Sequence, residues 1–384
     1  MSRPWPTSQE PLHAPTVPSP SRQEVYEVYD VEGASVKPVL FLLAAVLACD
    51  AQSRTRDEGS ADQTKERTNA PVHLDAGPLK LDVCISETAQ LFHVVDQISQ
   101  WSEFSHPQYV RYFESRGGGL SESDLRILAE HAAIRKRYGW GRGPEQVFYT
   151  PLDLDEALKA GVASGYLTDA EADTERRVLT YFRLRVKRLV SESRPLDEFV
   201  REFARQQSNL AAFATEAARF VGKTPAKPIP FYVIANPDDA NMGGGYNGGK
   251  LTLEIPRKRD VYPTVLHELF HAFVETKKAE VETAARSVPG LDFQTLNEAL
   301  AYAISPGLHH TGDSDQLQAK VRAYIAKGSP LSDSFTRFNF FALALRPLLK
   351  EALADPHQNL ESFLPRAVDA WLVLVELDRA RKPQ

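Results

Sequence analysis

Tyr262-Pro263-Thr264-Val265-Leu266-His267-Glu268-Leu269-Phe270-His271-Ala272-Phe273-Val274-Glu275-Thr276 carries apolar residues at helical spacing: Val265, Leu266, Leu269, Phe270, Phe273 and Val274. That pattern predicts an α-helix that is apolar around most of its surface and therefore buried. Pro263 is tolerated in the first turn, where its missing N–H leaves no bond unmade, and the charged pair Lys277-Lys278 marks the end. His267 and His271 stand at i and i+4. On a helix both imidazoles project from one face, one turn apart, and reach a common point in a dry setting.

This spacing suits a divalent metal. Neutral imidazole nitrogens favour zinc, and three protein ligands leave a fourth position for a water whose pKa the metal lowers towards about 7. Glu268 lies on the edge of the same face, where its carboxylate can take a proton from that water and hand it to a leaving amine. It is the candidate general base. A third ligand is needed, and a carboxylate from a second helix would complete a two-His, one-Glu set. Glu298, within Asn297-Glu298-Ala299-Leu300-Ala301-Tyr302, fits that role. Glu275, Glu280 and Glu282 compete for it, although one rigid helix does not easily wrap three ligands around a tetrahedral ion.

Through His267, Glu268, His271, Asn297 and Glu298 the segment from Phe231 to Ser305 resembles the gluzincins, the thermolysin-like and aminopeptidase-like branch of the zincin metallopeptidases. In that family a glutamate in an Asn-Glu motif follows the His-Glu-x-x-His helix. The resemblance implies Zn2+ held by His267, His271 and Glu298, Glu268 as base, and a peptide or protein substrate. Two departures stand out. The gap between His271 and Glu298 is longer than in the family, which makes Ala279 to Phe293 an enlarged connection. Tyr302 occupies the position one turn after the ligand glutamate where thermolysin-like enzymes place an aspartate that orients a zinc histidine.

Upstream, Pro228 to Ala235 reads as a strand, Asn236 to Gly249 as turn-rich, and Lys250 to Ile255 as a second strand ending at Pro256. A short sheet before the metal helix is what the resemblance leads one to expect, with an edge strand receiving extended peptide through backbone hydrogen bonds. Gly243-Gly244-Gly245-Tyr246-Asn247-Gly248-Gly249 lets backbone approach a substrate or forms a mobile lip, or else serves as a plain hairpin connection. Tyr246 and Tyr302 are candidate donors to a tetrahedral oxyanion. His309-His310 could do the same work but also reads as a solvated loop.

The N-terminal region sets an expectation about location. Lys37-Pro38, the apolar run Val39 to Ala48 and then Cys49 resemble a bacterial lipoprotein signal, with Val46-Leu47-Ala48-Cys49 as a loose lipobox. The run is too short to span a bilayer. Residues 1–35, rich in Pro, Ser and Glu, read as disordered or as a wrongly assigned start, with Val36 the alternative first residue of a signal over 36–49. Residues 50–80 read as a flexible linker. A lipid anchor on Cys49 would place the protein on a membrane of the cell envelope, on the periplasmic or outer face. It would also leave Cys84 as a small buried residue, since the chain has only these 2 cysteines. A net charge of −6 gives no reason to expect nucleic acid.

About 300 residues remain for one large or two modest domains. Residues 81–222 read as a helical region, with capping boxes at Ser121/Asp124 and Thr168/Glu171 and a basic, solvated face over Arg176 to Arg188. Residues 223–384 read as the zincin-like region. Its C-terminal helices fall at Asp313 to Ala326, Ser332 to Leu353 and Leu360 to Arg381, broken or kinked near Pro347 and Pro365. The fold class is mainly α with a small β-sheet (α+β), helical regions flanking a zincin-like metal-helix core. Zinc-dependent peptide hydrolysis is the expected function. The alternative is a lipoprotein binding module that keeps the scaffold without turnover; a carboxylate beside the metal water favours the enzyme.

Overall fold

The computed structural model describes residues 71–116, 118–238, 242–309, 331–332 and 334–380. The expected signal over 36–49, its Cys49, the alternative start at Val36, His310 and the helix expected over Asp313 to Ala326 lie outside them.

Five strands form one mixed sheet in the order β1-β2-β3-β5-β4: β1 (Val72–Ala76), β2 (Leu79–Cys84), β3 (Ile229–Ala235), β4 (Gly244–Asn247) and β5 (Lys250–Ile255). β1 and β2 make an antiparallel hairpin around Gly77, whose φ of +66° only glycine takes without strain. β2 pairs parallel with β3 (Val83 opposite Phe231), and β3 parallel with β5 (Ala235 opposite Ile255). β4 returns antiparallel along β5, with Gly244 opposite Leu253, through a turn at Gly248 and Gly249 that both have positive φ. The central strands Ile229-Pro230-Phe231-Tyr232-Val233-Ile234-Ala235 and Lys250-Leu251-Thr252-Leu253-Glu254-Ile255 are buried almost throughout, as parallel strands covered on both faces are.

Helices supply the rest, so the fold is mainly α with a small sheet. Between β2 and β3 the chain runs through α1 (Glu87–Ile98), α2 (Pro107–Arg116), α3 (Glu122–Tyr138), α4 (Pro144–Phe148), α5 (Leu154–Ala163), α6 (Asp169–Glu192), α7 (Leu196–Ala204) and α8 (Gln207–Val221). After β5 come α9 (Tyr262–Glu275), α10 (Lys278–Arg286), α11 (Phe293–Tyr302), a π-helical turn (Ala303–Leu308), α12 (Ser334–Ala354) and α13 (Leu360–Arg379). Both expected capping boxes form, on α3 and α6. The basic face of α6 is solvated and ion-paired, Arg176 to Asp155 and Asp173 and Arg188 to Glu192. Pro347 and Pro365 lie inside α12 and α13, which run on past them.

Three boundaries differ from expectation. The linker over 50–80 is too long: residues 72–76 and 79–80 are already strand, because Leu74, Ala76 and Leu79 point inward and bury themselves within a polar composition. The region over 81–222 begins with the rest of β2, and its pairing with β3 means that 222/223 separates no domains; one hydrophobic core runs through both parts. The connection from Ala279 to Phe293 is mostly α10. No helix among the described residues is long and apolar enough to cross a membrane.

Two clusters of buried charge lie away from α9. His131 bridges Asp96 (3.1 Å) and Glu175 (2.9 Å), and Arg135 binds Asp96 (2.6 Å) and Glu145, all of them inaccessible to solvent or nearly so. Glu254 of β5, fully buried, accepts from four donors: His93 Nε2 (2.9 Å) and His106 Nδ1 (2.6 Å) on Oε1, Gln108 Nε2 (2.9 Å) and the Gly243 N–H (2.9 Å) on Oε2.

Candidate metal centre

α9 forms where the apolar pattern predicts it, with Pro263 in its first turn and Val265 through Val274 all buried. Its two histidines meet. His267 Nε2 and His271 Nε2 are 3.1 Å apart, and Glu298 Oε2 from α11 lies 3.4 Å from the first and 3.6 Å from the second. These are the only three His, Cys, Asp or Glu side chains among the described residues grouped closely enough to share an ion. Zinc bonds of about 2.0–2.1 Å at the tetrahedral angle put ligand atoms about 3.3 Å apart, so the donor set fits that ion in type and in spacing.

Second contacts fix the rings. His267 Nδ1 donates to the Ser305 carbonyl at 3.1 Å, which leaves Nε2 turned towards His271 and Glu298. Ser305 Oγ donates to the Pro263 carbonyl at 2.7 Å, tying the π-helical turn to the start of α9. His271 Nδ1 and Asn297 Oδ1 are buried without a hydrogen bond of regular geometry, and the Asn297 side chain acts on the His271 ring. Asn297 thus sits beside the second histidine as Glu298 sits beside both.

The electrostatics follow from this crowding. Burial works to raise the Glu298 carboxyl, but His271 and His267 outweigh it and hold the group well below the usual carboxylate range. Burial works to lower His271, and the Glu298 charge outweighs it, raising the imidazole to about 9. Glu268 goes the other way: burial raises its carboxyl and the Glu298 charge adds to this, against both histidines and a backbone hydrogen bond from Tyr246. A carboxylate made reluctant to ionise is a stronger base when it does.

The edge strand lies against that base. Paired residues point to one side of a sheet, so Gly244 and Leu253 face α9 while Glu254 faces α1 and α2. A Cβ on Gly244 would stand 3.1 Å from Glu268 Cγ, Glu268 Oε1 and Thr264 Cγ2. Only glycine gives this approach without displacement. The glycine run is therefore neither a bare loop nor a simple lip: its middle is an edge strand, and its end is the turn into β5. Among the described residues the outer edge of β4 has no strand partner.

Other candidates are separated from the donors or stay beside them. Glu275 pairs with Lys278 (2.9 Å), Glu280 with Lys277 (3.4 Å) and Glu282 with Arg286 (2.9 Å), along α9, α10 and the residues that join them. The Tyr302 ring lies 4.3 Å from the His267 ring, centroid to centroid. Tyr246 is half-buried on β4, its phenol pushed up to about 12 by burial and by the charge of Glu275. His309 packs against Phe213 (5.5 Å). Ser305 and the His106/Glu254 pair were not singled out by sequence. The available signal for the latter was a carboxylate in an otherwise apolar strand.

No protein-family model, curated protein or solved structure matches the chain.

Proposed function

We propose that the chain is a zinc-dependent metallopeptidase of gluzincin type. The observation that carries this is the triangle of His267 Nε2, His271 Nε2 and Glu298 Oε2, 3.1 to 3.6 Å on a side, with Glu268 on the same helix. Zinc held there supplies Lewis acidity and makes water a nucleophile near neutral pH. His267 and His271 present their Nε2 lone pairs, oriented by Ser305 and Asn297, and Glu298 adds the negative charge that balances a dication. Glu268 takes the proton from attacking water and returns it to the leaving amine. The free edge of β4 receives an extended peptide beside Glu268. Attachment to the envelope through an acylated Cys49 is part of the same proposal and rests on the stretch from Lys37 to Cys49.

The test is zinc content by elemental analysis together with mass-spectrometric digestion of a peptide mixture by the zinc-loaded chain. One zinc per chain and chelator-sensitive cleavage are expected. Zinc binding with no cleavage of any peptide would leave a metal-binding module, and failure to bind zinc would sink the reading altogether. Radiolabelled palmitate entering the protein, and lost in Cys49→Ser, is the separate check on the anchor.

A further inference from the structure

Glu254 and His106 form a pair that the hydrolytic chemistry above does not use. The carboxylate is fully buried, and His106 gives it Nδ1 at 2.6 Å while keeping about a quarter of its own side chain exposed (26%). Among the described residues His106 Nε2 has no partner. The ring is clamped from below: its backbone N–H donates to Gln97 Oε1 at 2.7 Å, and Gln108, two residues on, donates to the other oxygen of Glu254 at 2.9 Å. It also lies against the start of the edge strand, because a Cβ on Gly243 would fall 1.7 Å from His106 Cε1. Burial works to lower this imidazole, but the Glu254 charge outweighs it, and the charge of Glu268 raises it further. Gly243, against which the ring packs, directly precedes Gly244, which lies against Glu268.

Chain direction says which part of a substrate it would meet. β4 runs from Gly244 to Asn247, so a peptide added antiparallel to its free edge runs from the Asn247 end towards Gly244. Glu268 lies beside the stretch from Gly244 to Tyr246, which places the scissile bond along it. Residues C-terminal to that bond then pass Gly243 and His106. We propose that His106 is a substrate-binding residue of this cleft, donating from Nε2 to a carboxylate on the segment C-terminal to the scissile bond. The substrate class is then peptides cut within about two residues of a free C-terminus or of an acidic side chain. The proposal rests on the metallopeptidase reading and adds its substrate preference. Glu254 is a positioning residue: it holds the ring through Nδ1–H, and its buried negative charge favours the imidazolium, which carries a second proton on Nε2.

The experiment is calorimetric titration of the zinc-loaded full chain with a peptide hydroxamate in which the hydroxamate replaces the scissile bond and two residues follow it. Three forms are compared: ending in Gly as the free acid, ending in Gly as the amide, and ending in Asp with the α-carboxyl amidated. The free acid or the Asp form is expected to bind about tenfold more tightly than the Gly amide, the worth of one charge-assisted hydrogen bond. Which of the two gains tells a terminal carboxylate from an acidic side chain. His106→Gln should bring all three to the affinity of the Gly amide. The contrast within the unaltered protein stands even if that variant folds poorly. Equal affinity of the three forms overturns the role of His106 and leaves the metal site intact. A zinc-loaded protein that binds none of them overturns both this inference and the peptidase reading.

Discussion

His267 Nδ1 is held by the carbonyl of Ser305 at 3.1 Å, and the Ser305 hydroxyl is held by the carbonyl of Pro263 at 2.7 Å. The residue that aims the first histidine is thus latched to the first turn of the helix that carries it. Ser305→Ala keeps the carbonyl and removes the latch. Zinc affinity, measured by competition with a chelator, is expected to fall about tenfold, at the lower end of what losing an outer contact to a ligand costs. Unchanged affinity would show that the turn is held elsewhere.

Glu268→Gln keeps the size and removes the base. It is expected to retain one zinc per chain and to lose hydrolysis by at least about a hundredfold in kcat. Turnover within a few-fold of the parent protein would remove Glu268 from the proton transfer.

Glu298 would carry the charge that opposes a bound dication, and it arrives from a different helix than the histidines. Glu298→Gln should lower bound zinc well below one per chain after dialysis, as should His271→Ala, while the helical circular dichroism stays the same. Full zinc occupancy in Glu298→Gln would mean that another carboxylate completes the set.

Gly244→Ala puts a methyl 3.1 Å from both Glu268 and Thr264. Overpacking of this kind costs about 1–3 kcal/mol where neighbours cannot retreat, and the cheapest retreat here is movement of the Glu268 side chain. Activity should drop by about tenfold or more with zinc content unaltered. Full activity in the variant would show that β4 and α9 are not as rigidly apposed as the distance implies.

A pH effect on stability follows from His131. Burial works to lower this imidazole, but Glu175 and Asp96 outweigh it and raise it from 6.5 to about 9. A folded-state pKa above the unfolded one gives stability that is complete below pH 6.5 and is lost as pH rises through 9. The free energy of urea unfolding should therefore fall between pH 6.5 and 9, by on the order of 1.4 kcal/mol per pH unit at most for this one group. His131→Gln should flatten that limb; a parent protein equally stable across the window would contradict the buried ion pairing.

The helix from Tyr262 to Glu275 and the strand Lys250 to Ile255 were legible because their patterns are carried by side chains: a 3.6-residue apolar stripe, and a run of strand formers ended by Pro256. Glu298 was legible through its neighbour Asn297, and the two capping boxes through residue types that have one common use. β4 was not, because Gly244 and Gly245 have no side chains to alternate and a glycine run reads as turn. β1 was hidden for a related reason: Leu74 and Ala76 are its only buried residues among polar neighbours. Ser305 escaped because it acts on His267 through a carbonyl that every residue possesses. His106 escaped because its partner Glu254 is distant in sequence, and a pairing across 148 positions has no local signature.

The parallel pairing of β2 with β3 has a consequence for how the chain acquires its structure. Gln90, in the first turn of α1 just after β2, bonds the carbonyl of Val233 in β3 across 143 positions at 2.6 Å, and the rest of α1 with α2 to α8 lies between. During synthesis β2 emerges early and must wait for this helical segment to be made before the strand it pairs with exists. Until then its inner edge and the faces of Leu79, Leu81 and Val83 are exposed, which favours off-pathway association. Zinc cannot guide this step, since His267, His271 and Glu298 are synthesised later still. Sheet closure should therefore set the rate of folding, and metal should act only on the finished scaffold.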